Sequence, residues 1–154
     1  MQFTIYGYNN VELCVIVKEE AFTNATDKND LISKCSDTLF HLQTQILDCT
    51  YQCLVDIEEL SVFLQLLKKM LSQEANSASF SSHDNLFCLS FERLDGSIKC
   101  NFWYKYYQPI RVEVSVDFMT DETQLVECLR TLSALKNKIN HNISFDESVF
   151  IKWW

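Results

Sequence analysis

Twice along this chain the hydrophobic period switches from two residues to 3.6, at Asp56 and again at Thr120, and each switch follows a long run of β-compatible sequence. A chain punctuated in this way reads as strands, a helix, strands and a second helix. QFTIYGY alternates, Asn9-Asn10 turns the chain, and Val11, Leu13, Val15 and Val17 then share one face, which predicts an N-terminal hairpin. Residues 19–30 are polar and rich in turn formers, so they loop over the surface. From Leu31 to Val55 the β signal runs too long for one strand. Two strands are expected there, with a turn near Gln43–Gln45 or near Ser36–Thr38, and with Leu47, Cys49, Tyr51, Cys53 and Val55 facing one way.

At Asp56 the pattern Asp-x-x-Glu59 resembles a capping box, and Leu60, Phe63, Leu64, Leu67 and Leu71 recur at helical spacing, so a helix is expected over roughly 57–73. SASFSS and NLFCLSFER follow, then the hairpin signal Asp95-Gly96, then SIKCNFWYKYY. Pro109 interrupts a ladder donor before IRVEVSVDF, where Ile110, Val112, Val114, Val116 and Phe118 alternate with Arg111, Glu113, Ser115 and Asp117. Thr120 is expected to cap a second helix, with Asp121 and Glu122 at its positive end and Leu125, Cys128, Leu129, Leu132, Leu135 and Ile139 in one stripe. The fold class predicted is α+β, mainly antiparallel sheet of about eight strands with two amphipathic helices, in the order ββββαββββα. Residues 1–154 make one domain, because two halves of a 154-residue chain would each be unusually small. The two similar halves share element order only; no residue-level repeat aligns.

Composition narrows the function. With two glycines and one proline, neither a P-loop nor a GxGxxG fingerprint can be written, and no GxSxG elbow occurs. A formal charge of −8 repels phosphate backbones and anionic membranes, so neither nucleic acid nor a membrane is an expected partner; it could draw the chain towards a basic protein, while the bland reading, which carries more weight, is solubility alone. No apolar run approaches a membrane span and no leader-like start is visible, which points to the cytoplasm.

Seven cysteines, at 14, 35, 49, 53, 88, 100 and 128, include no CxxC pair and read as reduced thiols. Cys49 and Cys53 would share a strand face about 13 Å apart, too far for one tetrahedral ion, and His41, His83 and His141 are scattered. No metal, cofactor or catalytic residue is therefore assigned, and the adjacent pairs Glu19-Glu20, Glu58-Glu59 and Asp121-Glu122 read as loop and helix-start residues. The expectation is a protein that is not an enzyme. FWYKYYQPIR mixes rings and cations as a single-strand-binding surface would, but the acidic total opposes that use. Alternation puts Cys100, Phe102, Tyr104 and Tyr106 on one face and Lys99, Asn101, Trp103, Lys105 and Tyr107 on the other. The second set suits a protein-binding face, since rings and arginine dominate interface energetics; the bland reading is that both faces are covered.

Several segments together resemble the WapI-type immunity proteins, antidotes to polymorphic contact-dependent toxins of bacteria. The resemblance spans roughly residues 1–139, leaving a tail over 140–154. It rests on Asp27, Asn29, Asp30 and Leu31, on IEELSVFLQLLKKM, on LDGSIKC, and on FMTDETQLVECLRTL, whose Asp121, Thr123 and Leu125 carry a D-x-T-x-L helix start. Asp30 stands where the family often has an aromatic residue. The resemblance implies a non-catalytic α+β protein, monomer or homodimer, that binds a cognate toxin domain and occludes its active site or substrate entrance. The motif residues look like turn, cap and core positions, so the partner-binding surface is placed separately, on Glu19, Glu20 and Asp27 with Trp103, Lys105, Tyr107 and Arg111. Acidic groups there could mimic a nucleic-acid substrate if the toxin is a nuclease. The alternative is a regulatory or scaffold module that binds a host protein through an exposed sheet edge or aromatic face.

Overall fold

The structure is a computed structural model that describes residues 2–18, 35–82, 85–107 and 111–142. Its elements run β1 (Gln2–Gly7), β2 (Val11–Val17), β3 (Cys35–Gln43), β4 (Asp48–Asp56), α1 (Ile57–Leu71), β5 (Ser77–Ser81), β6 (Phe87–Leu94), β7 (Ser97–Tyr106), β8 (Val112–Thr120) and α2 (Glu122–Asn142). This is the α+β order ββββαββββα. Each half is an antiparallel meander followed by its helix: β1-β2-β3-β4 form one sheet and β5-β6-β7-β8 the other.

Local chemistry explains the breaks. Asn9 and Asn10 turn the first hairpin with φ of 64° and 59°, a region that asparagine tolerates better than most residues. The β3–β4 turn falls at 44–47, where the Thr44 hydroxyl accepts from the Leu47 amide at 2.9 Å, and Ser36–Thr38 lie within β3. At α1 the capping box is complete: the Asp56 carboxylate accepts from the Glu58 amide at 2.6 Å, and the Glu59 carboxylate accepts from the Asp56 amide at 3.3 Å. The second cap differs from expectation. Thr120 belongs to β8, paired with Ile98, and its hydroxyl donates to the Tyr6 carbonyl at 2.7 Å. Asp121 caps α2 instead, accepting from the Thr123 amide at 2.9 Å and the Gln124 amide at 3.3 Å.

The two sheets meet through rings. Phe40 of β3 lies 4.9 Å from Phe87 and 5.4 Å from Phe102, and Tyr51 of β4 stacks on Tyr104 at 4.5 Å. Burial, then a hydrogen bond with Cys49, pushes the Tyr104 hydroxyl up to about 12, so it stays neutral within the core. Helix α1 carries Phe63 onto Phe80 and Phe91 at 5.1 and 6.2 Å, and α2 buries Leu125, Cys128, Leu132 and Leu135, with Leu129 half-buried. Burial likewise raises the Cys100 and Cys128 thiols, which makes them packing groups and poor nucleophiles.

A corner joins the two halves. The Tyr8 amide donates to the Met119 carbonyl at 2.8 Å, and the Tyr6 amide donates to Gln124 Oε1 at 3.3 Å. Gly7 is required by this approach, because a Cβ there would sit 2.3 Å from Phe118 Cδ2. At the far end of β8 the core face opens. Phe118 is buried, Val116 and Val114 are half-buried, and Val112 is 40% exposed beside a 50% exposed Tyr106. Tyr106 and Val112, which alternation placed on the same faces as the buried Tyr104 and Phe118, form the last pair of the β7–β8 ladder and are exposed.

Candidate protein-binding face

The outer surface of the second sheet is set by the β7–β8 register. Lys105 opposes Glu113, Trp103 opposes Ser115, Asn101 opposes Asp117 and Lys99 opposes Met119, all turned away from the rings that meet the first sheet. Two ring–cation contacts stand at one end. Lys105 Nζ lies 5.1 Å from the Trp103 ring centroid, and the Arg111 guanidinium lies 5.8 Å from that of Tyr107. Glu113 joins them: Arg111 donates to its Oε1 at 2.7 Å through one terminal nitrogen and at 3.3 Å through Nε, while Lys105 faces it across the strands.

The result is a string of ring, cation, carboxylate, cation and ring. Its electrostatics are mutually reinforcing. The Arg111 hydrogen bond holds the Glu113 carboxyl below its ordinary value, with a further contribution from the charge of Lys105, and Glu113 in turn raises Arg111. Farther along, Lys99 Nζ meets Asp117 at 2.8 Å and Asn101 donates to the same carboxylate, so Asp117 is also held below the usual range. Every cation on this face has an anionic or aromatic neighbour, which makes the patch locally balanced on a chain of net charge −8.

Trp103, Lys105, Tyr107 and Arg111 are therefore brought together. Glu19, Glu20 and Asp27, with Asn29, Asp30 and Leu31, lie outside the described residues, as do Pro109, Ile110 and the tail from 143. Glu113, the link in the string, was not among the expected binding residues. Alternation had put it on the wet face, but its position opposite Lys105 is a matter of register between strands. A separate cleft of about 510 Å³ lies at the β6–β7 hairpin, lined by Arg93, Asp95, Asp121 and Glu122. Arg93 is committed there, donating to Glu122 at 3.2 Å and to the Met70 carbonyl at 2.9 Å.

Among the described residues no group of three His, Cys, Asp or Glu side chains is placed to hold a metal ion, and no helix is long and apolar enough to cross a membrane. No protein-family model matches the chain, and no curated protein sequence matches it either. Among solved structures, one described as "Structure of the plant transcriptional regulator PBF-2" is similar, with a TM-score of 0.53 at 12% identity, covering 97% of this chain and 85% of that one. Likeness at that identity is one of fold.

Proposed function

We propose that this chain is an immunity protein that binds a cognate secreted toxin domain and neutralises it by covering the active site or the substrate entrance. The observation that carries the reading is the string from Trp103 through Lys105, Glu113 and Arg111 to Tyr107. Tryptophan, tyrosine and arginine are the residue types that dominate binding energy; here Trp103 lies within β7, and Tyr107 and Arg111 flank the ends of β7 and β8, each against a charged or aromatic neighbour. The −8 charge would speed encounter with a basic toxin such as a nuclease, while the locally balanced patch supplies the fit. The segments that resemble the WapI-type family support the same reading, since the antiparallel α+β protein that the resemblance implies is the class of this fold. The PBF-2 likeness adds fold and not function.

The test is co-expression with the toxin domain encoded beside this gene. The wild-type chain restores growth and retains that single partner through a high-salt wash. Trp103→Ala and Tyr107→Ala each weaken binding by about 30-fold, the scale of a hot-spot truncation, and charge reversal at Glu19, Glu20 and Asp27 also loses affinity. A folded double variant at Trp103 and Tyr107 that binds within twofold of wild type would remove this face from the mechanism. Failure to bind the neighbouring domain, with a diffuse set of weak partners in its place, would overturn the antidote reading in favour of a scaffold module.

A further inference from the structure

Among the described residues, the outer edge of β8 is open over most of its length. Strand β7 occupies one side, and among the described residues the other side receives only the Tyr8 amide, on the Met119 carbonyl. Successive residues of a strand turn their backbone groups to alternate neighbours, so this bond sets the parity. Asp117, Ser115 and Glu113, like Met119, present N–H and C=O to the open side. On the core face of the same stretch, Val112, Val114 and Val116 carry a partly exposed aliphatic row out to the edge. The strand holds neither proline nor lysine, its carboxylates Glu113 and Asp117 are each paired with a cation beside the same sheet, and apolar side chains lie beneath it, so the edge is a template for another strand.

We infer that a second copy of this chain pairs with β8, antiparallel, about a two-fold axis at Val114, so that the two second sheets become one sheet of eight strands. Charge selects that register. An axis at Ser115 opposes Glu113 to Asp117 twice, an axis at Glu113 opposes that residue to itself, and an axis at Val116 requires the stretch at Met119 that Tyr8 occupies. With the axis at Val114, Arg111 of each copy faces Asp117 of the other, Val112 faces Val116, and Val114 faces itself. Glu113 then faces Ser115 on both sides of the axis, and these pairs exchange the open backbone groups. The dimer shares Arg111 and Glu113 with the proposed toxin-binding string, so the two readings are told apart by Ser115→Pro and Val114→Cys, which alter the edge and leave the string's side chains in place.

Sedimentation equilibrium of the full chain tests it. The wild-type protein rises with concentration from 18.0 kDa towards twice that mass. Ser115→Pro, which removes an outward N–H and leaves the β7 ladder intact, holds it at the lower mass. Arg111→Asp weakens the dimer about tenfold by turning two attractive cross-strand pairs repulsive. Val114→Cys, oxidised mildly, forms a disulfide that joins the two copies at that position, since residues facing each other in a non-hydrogen-bonded pair lie about 4.5 Å apart. Constant monomer mass up to millimolar concentration overturns the inference. So does a dimer that survives Ser115→Pro, or a cross-link mapping from position 114 to any of the native cysteines. If Ser115→Pro fails to fold, the Arg111→Asp mass and the mapped cross-link decide.

Discussion

Whether the two sheets face each other through Phe40 can be measured as a coupling energy. Phe40→Leu removes two ring contacts, with Phe87 at 4.9 Å and Phe102 at 5.4 Å, and leaves the site nearly filled. At about 0.5–1.5 kcal/mol for each ring pair and up to about 1.5 kcal/mol for the change of shape, the loss is about 1–4.5 kcal/mol. Phe87→Leu removes contacts with Phe40, Phe80 and Tyr51, for a loss of about 1.5–6 kcal/mol on the same terms. The pair at 4.9 Å is counted in both variants and can be lost only once. The double variant is therefore less destabilised than the sum by about 0.5–1.5 kcal/mol. Urea unfolding of the four proteins gives the cycle, and the pair Phe40→Leu with Phe63→Leu serves as a control, because Phe63 stacks on Phe80 and Phe91 and not on Phe40. Additivity of Phe40 with Phe87 to within about 0.3 kcal/mol would refute the face-to-face packing.

The corner and the carboxylates give three further expectations. Gly7→Ala should cost about 1–3 kcal/mol by driving Phe118 from its place, seen by calorimetry as a lower Tm, and Phe118→Leu in the same chain should restore part of the loss. Asp121→Ala should cost about 0.5–2 kcal/mol and speed hydrogen exchange at the Thr123 and Gln124 amides, whereas Thr120→Val should leave those amides protected. Asp117 has a folded pKa below its unfolded value, so its stabilising contribution is complete above about pH 4 and fades as pH falls through the folded pKa. The urea midpoints of wild type and Asp117→Asn should differ at pH 7 and converge in acid; a gap that widens in acid would reverse the assigned sign.

Local signals located nearly every element. The capping box at Asp56 and Glu59, the Asp95-Gly96 hairpin and the alternation of β2, β4 and β7 are each written in a few adjacent residues, and the structure keeps them. Choices that depend on a distant strand were not legible. Thr120 and Asp121 are both good caps, and only pairing of Thr120 with Ile98 assigns one to the sheet and the other to the helix. Met70, three residues on from Leu67 and seven from Phe63, lies on the same helical stripe and is fully buried, a position the expected stripe passed over for Leu71. Cys14 alternates outward with Glu12 and Ile16, yet it is 7% exposed on a strand paired on both sides, with Thr4 and His41 as its cross-strand neighbours. At the binding face, alternation grouped Trp103 with Lys105, but the link through Glu113 needed the register of β8.

The corner where Tyr6 and Tyr8 meet Met119, Thr120 and Gln124 also sets a schedule for biosynthesis. Its side-chain bonds close over sequence separations of 114 and 118 residues, so β1, made before every other strand described, is among the last to be secured. Phe40 and Tyr51 meanwhile wait for Phe87, Phe102 and Tyr104, which are about 50 residues behind them. At about 5–20 residues per second, a greasy half-molecule is exposed for several seconds in every round of translation. Until the second sheet arrives, the rings of the first are the apolar surface most open to aggregation during synthesis.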